Sequence, residues 1–405
     1  HHCKYVGLNF CATKNVFCAM LIDKLLIVLY SKYSKIMKDF DIELFKKGID
    51  VDSPSVEQDE IELTGIEEKV WFTKDKTKYI FKIDDELNLG FYELVVSYLC
   101  NKVGIKCVNA YPAFSKSTKR VGVAVQSYIT NLNTSQVNLS NFISHFSDYF
   151  VQVDPGEATF SVQEICEILN KLKSIGFVVN NDVVANLKDI CLIDYLLFQL
   201  DRHFGNVEFL FNKIDGKCFV DVAPMFDNGR CLNFDCTGIM DMAYAFSDEE
   251  VHLVMSNRQD RIIGNSLFSR NVAYFIGKEI LNNKHLAEVY QKLKNINFDE
   301  IIDYVANIYP TKIKKSRLSV AKKTYKVRLA MLEKYLKFAQ KNMDSKFEKI
   351  NISDIRAKIP SRLPRHLVDA LNYASYKEDL KFLEQKNHCT YNPQTENKGK
   401  EDLIW

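Results

Sequence analysis

Residues 197–211, LFQLDRHFGNVEFLF, set one acid, two basic side chains and an Asn in a short polar gap between two apolar runs. Leu192, Leu196, Leu197 and Leu200 recur at helical spacing, which predicts a buried helix ending near Asp201. The aromatic and β-branched VEFLF that follows predicts a strand. A loop held at both ends by core is where a scaffold presents reactive groups, so the gap is the first place to look for chemistry.

Outward from the gap the chain changes character twice. Upstream, EKVWFTKDKTKYIFKID (68–84) reads as two strands around a polar turn. GFYELVVSYLCNKVG (90–104) reads as a helix with Phe91, Leu94, Val95, Tyr98 and Leu99 on one stripe, stopped by Gly104. RVGVAVQSYI (120–129) returns to strand. From Ser140 helices dominate, as in SVQEICEILNKLKSIG (161–176), with Val162, Ile165, Ile168, Leu169 and Leu172 on one face and Gly176 as the stop. After the gap's own strand comes a second, KCFVDV (217–222), and helical patterns resume through 245–345. The order predicts an α+β, two-lobed architecture: a leader and acidic linker over 1–62, a small strand-rich lobe over 63–130, a larger, mainly helical lobe over 131–345, and a helical extension with a polar tail over 346–405.

At 405 residues, 47% hydrophobic and 26% charged, the chain has room for a large core. A net charge of +2 gives no field strong enough to argue for nucleic acid or an anionic membrane. The eleven Cys, without a CxxC pair, read as reduced thiols in a cytoplasmic setting and not as a disulfide framework or zinc site. The apolar VFCAMLIDKLLIVLY (16–30) is short and carries Asp23 and Lys24, so it reads as a packed or non-native leader, with membrane anchoring the alternative and Met37 a candidate start. The basic run KIKKSRLSVAKKTYKVRLAMLEKYLKF (312–338) reads first as a solvated helix face, with anion contact as the alternative.

In the gap, Asp201 and Asn206 stand in D-x-x-x-x-N, the interval at which phosphoryl-transfer loops place a catalytic base and a metal-ligating Asn. Helix capping and turn formation are the bland alternative. FVDVAPMFDNGRCL (219–232) puts Asp227, Asn228 and Gly229 in a turn just after a strand, where a carboxylate can hold Mg²⁺ against nucleotide phosphates or simply build a D-N-G turn. Lys82 shares a strand face with Ile80 and can reach phosphates if a carboxylate holds it extended. Glu93 can supply that carboxylate, because it lies beside Val96 and Cys100 on a helix that is apolar nearly all round. Residues 125–129, VQSYI, with Gln126 and Tyr128, fall where a connector between lobes would pair its backbone with adenine. In chain order, Lys82, Glu93, Asp201, Asn206 and Asp227 reproduce the parts of a kinase site using ATP and Mg²⁺.

DRHFGN (201–206) with APMFDNG (223–229) resembles the HipA-like serine/threonine kinases, including the smaller bacterial cell-translocating branch, whose members carry D-x-H-x-x-N and a later A-P-x-F-D turn. The resemblance spans about residues 60–345. It implies a bacterial, cytoplasmic enzyme that transfers the ATP γ-phosphoryl group to a Ser or Thr hydroxyl of a protein substrate. By position, Asp201 would be the base, Asn206 and Asp227 would hold Mg²⁺, and Lys82, paired with Glu93, would contact ATP. Phosphoinositide 3- and 4-kinases also carry D-R-H-x-x-N, which keeps a lipid acceptor open, and a nucleotide-binding pseudokinase or scaffold is a third reading. The sequence departs from the pattern at residues 65–80, which contain Gly65 but no G-x-G-x-x-G. That loop offers only Thr64, Thr73 and Thr77 where HipA relatives carry an autophosphorylated Ser. No extended N-terminal subdomain of the full-length toxins is evident, which weakens the expectation of an antitoxin partner.

Overall fold

The computed structural model describes residues 39–53, 55–58, 69–84, 87–129, 134–146, 162–232 and 272–344. The expected leader before residue 39, the segment around Thr64 and Gly65, and the extension beyond residue 344 lie outside the described residues.

The first lobe is a six-stranded sheet in the order β1-β5-β6-β4-β3-β2, antiparallel except where β1 runs parallel to β5. Its strands are β1 (Ile49–Asp50), β2 (Val56–Gln58), β3 (Lys69–Lys74), β4 (Thr77–Ile83), β5 (Ala110–Ser115) and β6 (Arg120–Gln126). Asp75 and Lys76, with φ of 50° and 62°, form the two-residue turn between β3 and β4, the left-handed geometry that matches strand twist.

The described residues of the acidic segment expected to be a linker, 41–53 and 55–58, are part of this lobe. The Asp41 carboxylate accepts the Glu43 and Leu44 amide protons at 2.9 and 3.0 Å and starts α1 (Ile42–Lys47). Phe45 of α1 is fully buried and stacks on Tyr98 at 5.1 Å, and Ile49 and Val51 follow it into the core. Asp41 sits at the cap and Glu43, Asp52 and Glu57 are exposed, so composition concealed three core residues, Phe45, Ile49 and Val51.

Helix α2 (Leu89–Val103) crosses between the lobes and stops at Gly104, whose φ is 81°. It is buried on nearly every face because β5 and β6 lie on one side and helices of the second lobe on the other.

The second lobe begins with β7 (Thr134–Asn138), α3 (Leu139–Phe146), α4 (Val162–Ser174), β8 (Val178–Val179) and α5 (Val183–Leu196). The strands β9 (Glu208–Ile214) and β10 (Lys217–Val222) complete a four-stranded sheet in the order β7-β9-β10-β8, packed over Phe142, Ile165, Leu169 and Leu187. Residues 233–271, part of the expected helical stretch, lie outside the described residues; beyond them, four helices are described: α6 (Val272–Asn282), α7 (Lys284–Asn295), α8 (Phe298–Ile308) and α9 (Lys315–Asp344). One hydrophobic core runs from Phe72 and Val123 in the first sheet through α2 to Leu192, Ile302 and Leu332 in the second lobe. No helix among the described residues is long and apolar enough to cross a membrane.

The helix before the gap ends at Leu196, not near Asp201. Phe198 takes a left-handed φ of 52°, while the Phe198 and Gln199 amides donate to the Tyr195 and Asp194 carbonyls at 3.2 and 2.9 Å. That is a Schellman stop with Phe where Gly is usual. Leu197, Phe198 and Leu200 stay buried because the loop itself runs through the core, which is why apolar spacing overshot the helix.

Candidate active site

Strand β4 alternates faces, and Tyr79 and Phe81 point into the core. Lys82 leaves from the other face and places its Nζ 2.6 Å from Glu93 Oε1 and 2.8 Å from Asp227 Oδ1. Burial works to lower the Lys82 pKa, but the two carboxylates outweigh it and hold the ammonium well above its usual range. Burial likewise works to raise Asp227. The charge and hydrogen bond of Lys82, helped by Lys69 and Arg202, outweigh it and hold the carboxyl down at about 2.

Asp227 reaches Lys82 because the turn carrying it is tied to the chain just after α2. The Met225 amide donates to Lys106 O at 3.1 Å, and the Val108 amide donates to Met225 O at 3.0 Å. Asp227 itself has a left-handed φ of 53°, so the bend falls on the acid and not on the glycine of D-N-G. Gly229 serves close approach instead: a Cβ there would lie 3.1 Å from Leu89 Cβ and 3.6 Å from Glu93 Cγ.

The gap lies beside this cluster. Asn206 Nδ2 donates to Asp201 O at 2.8 Å, which leaves the Asn206 amide oxygen as its coordinating atom. The Asp201 carboxylate is 33% exposed, 3.6 Å from Arg230 Nε and 4.0 Å from His203 Nε2. Gln199, which sequence reasoning did not single out, joins loop to turn: its Oε1 accepts the Leu200 and Asp201 amides at 2.9 and 3.2 Å, and its Nε2 donates to Asp227 O at 3.2 Å.

Arg202 is the other residue that reading undervalued. It is 2% exposed, and its guanidinium donates to both oxygens of Asp194 at 2.9 and 3.2 Å, to Asn206 O at 3.0 Å, and to Phe226 O and Asn228 Oδ1. One buried cation thus joins α5, the gap and the Asp227 turn. The signal was present in Asp194, an acid in the apolar helix pattern CLIDYLL, which has to find an internal partner.

Gln126 and Tyr128 lie on the connector, but their side chains serve the protein. Gln126 is buried with its Oε1 accepting from Asn109 Nδ2 at 3.0 Å, and Tyr128 donates its hydroxyl proton to Glu208. The basic run is solvated, as expected, at Lys312, Lys314, Lys315, Lys326, Lys334 and Lys337, but not at its two arginines. Arg317 and Arg328 of α9 are 7% and 1% exposed, and Lys322 and Lys326 pair with Asp303 and Asp299 at 2.6 Å. The Arg328 guanidinium stacks on Tyr195, 3.8 Å from the ring centre, beneath the start of the gap.

No protein-family profile and no curated protein sequence matches the chain. Among solved structures, the proinflammatory kinase CtkA of Helicobacter pylori is similar at a TM-score of 0.50 and 17% identity, over 68% of this chain and 95% of that one. HipA of Shewanella oneidensis MR-1, solved with HipB and its operator DNA, aligns at a TM-score of 0.41 and 12% identity, over 74% of this chain and 76% of that one. The chain therefore shares the two-lobed, α+β fold of the CtkA kinase.

Proposed function

We propose that this protein is a phosphotransferase that uses ATP with a divalent cation and acts on a Ser or Thr hydroxyl of a protein. The observation that carries the reading is the meeting of Lys82, Glu93 and Asp227 within 2.6–2.8 Å from three separate elements, beside a loop presenting Asp201 and Asn206. The donor set suits the group: an anionic Asp227 and the Asn206 amide oxygen are hard ligands for Mg²⁺, and Lys82 offers a cation to phosphate. When bound, Mg-ATP supplies the phosphoryl group and neutralises charge as that group transfers.

Asp201 takes the proton of the acceptor hydroxyl as its oxygen bonds to phosphorus and ADP leaves. Arg202 holds the loop and the Asp227 turn in one frame, so base and metal ligand keep their spacing. The Ser/Thr acceptor and the bacterial setting rest on the resemblance of DRHFGN and APMFDNG. The six described cysteines are thiols, which suits a reducing, cytoplasmic compartment. A lipid acceptor draws support only from the exposed lysines of the basic helix, such as Lys314, Lys315 and Lys337, because its arginines are internal.

Asp201→Asn tests the reading. Phosphoryl transfer should fall about 10²–10⁴-fold, the size of a general-base contribution, with melting temperature nearly unchanged because the carboxylate is partly exposed and loosely paired. Retained transfer with lost stability would make Asp201 a brace.

A further inference from the structure

We infer that the second lobe pins helix α2 at both ends, and that Arg317 of α9 is a positioning residue for the Lys82–Glu93 pair. The inference rests on the kinase reading above and adds how the nucleotide site is held.

The N-terminus of α2 does not cap itself. Asn88, at the cap position, has a left-handed φ of 56° and makes no side-chain cap bond. The work passes to groups from elsewhere. Asp84 Oδ1 accepts the Gly90 amide at 2.8 Å, and Asp84 Oδ2 accepts the hydroxyl proton of Tyr309, which follows α8. Arg317 Nη1 donates to Leu87 O and, at 3.2 Å, to Asn88 Oδ1. The approach is so close that a Cβ on Gly90 would lie 2.9 Å from both Asp84 Oδ1 and the Tyr309 hydroxyl. At the other end, Lys292 of α7 donates to Val103 O at 3.0 Å, a cation against the negative end of the helix.

Glu93 lies three residues beyond Gly90, about 4.5 Å along a rigid helix, so a shift at the pinned end moves the carboxylate. Glu93 is 2% exposed, and among the described residues its Oε2 is buried without a hydrogen-bond partner. A carboxylate so placed depends on Lys82, and loss of register between them leaves a charge unpaired in the core. These contacts hold the helix in the paired position. Arg317 acts through this contact and touches no reacting atom.

The experiment uses the full chain with Arg317→Ala, Arg317→Lys and Tyr309→Phe, alone and with Glu93→Gln. Amide hydrogen exchange over 89–93 reads the pin, and calorimetry with Mg-ATP plus initial rates reads its effect. Arg317→Ala should speed exchange at 89–93 and weaken Mg-ATP binding about tenfold, raising KM for ATP more than it lowers kcat. Tyr309→Phe should do the same more weakly, and Arg317→Lys should recover part of the loss. In the Glu93→Gln background Arg317→Ala should add less than about twofold, since both act on one contact. Unchanged exchange at 89–93, full additivity with Glu93→Gln, or a lower melting temperature with KM unmoved overturns the inference. If wild type binds no Mg-ATP while exchange still responds to Arg317→Ala, the kinase reading falls and takes with it the site this pin would serve.

Discussion

Lys82 stands between two carboxylates, one of them in the core. Lys82→Met would leave Glu93 buried and uncompensated, so it should destabilise the fold by about 3–5 kcal/mol, and adding Glu93→Gln should return much of the loss. Urea unfolding of the two single variants and the double variant measures this; additive losses would mean that the pair is not coupled. Asp227 gives the site a pH dependence. Its folded pKa, about 2, lies below the ordinary 3.8, so the folded state binds fewer protons there than the unfolded chain. The stabilisation is fully present above about pH 4 and is lost as pH falls through 2. Wild type should therefore unfold at a higher temperature than Asp227→Asn at pH 6, with the gap closing between pH 4 and 2; a gap constant across that window would contradict the Lys82 pairing.

Elements meet at Arg202. It ties α5 through Asp194, the gap through Asn206 O and the following turn through Phe226 O and Asn228, so the loop's shape depends on a fork with several donors in one plane. Arg202→Lys keeps the charge but not the fork. It should lower phosphoryl transfer and stability together, the latter by about 3 kcal/mol or more as for a broken buried pair, in contrast to Asp201→Asn, which separates them. Paired melting and transfer measurements on the two variants decide it; a stable, inactive Arg202→Lys would place Arg202 on the substrate instead. α9 adds to the same lesson, since a helix whose composition reads as solvated puts Arg328 under Tyr195 and Arg317 against the start of α2.

At the scale of the molecule, one hydrophobic core passes through both lobes, and Lys82, Glu93 and Asp227 meet beside the loop carrying Asp201 and Asn206. Mg-ATP bound across Lys82, Asn206 and Asp227 should stabilise the folded state by about 2.7 kcal/mol at a hundred times its Kd. Thermal melts with ATP and Mg²⁺, with ATP and EDTA, and with Mg²⁺ alone test it. Stabilisation by ATP that survives EDTA would remove the metal from the site.

Periodicity alone determined where α2 and α4 begin to bury and where Gly104 and Gly176 stop them, because a helix's apolar stripe and its left-handed stop are local properties. The spacing of Asp201, Asn206 and Asp227 was legible for a similar reason: a short loop and a turn after a strand leave few arrangements. Three things needed the tertiary structure. Residues 42–51 joined the first lobe because Phe45 found a pocket that no local pattern records. Helix α5 stopped at Leu196 while its apolar run continued, because burial of the next residues comes from the surrounding core and not from helix geometry. The arginines of α9 turned inward because their partners, Leu87 and Asn88 for Arg317 and Tyr195 for Arg328, lie more than a hundred residues away in the chain. Charge on a helix reads as solvated until long-range contacts supply carbonyls and rings to receive it.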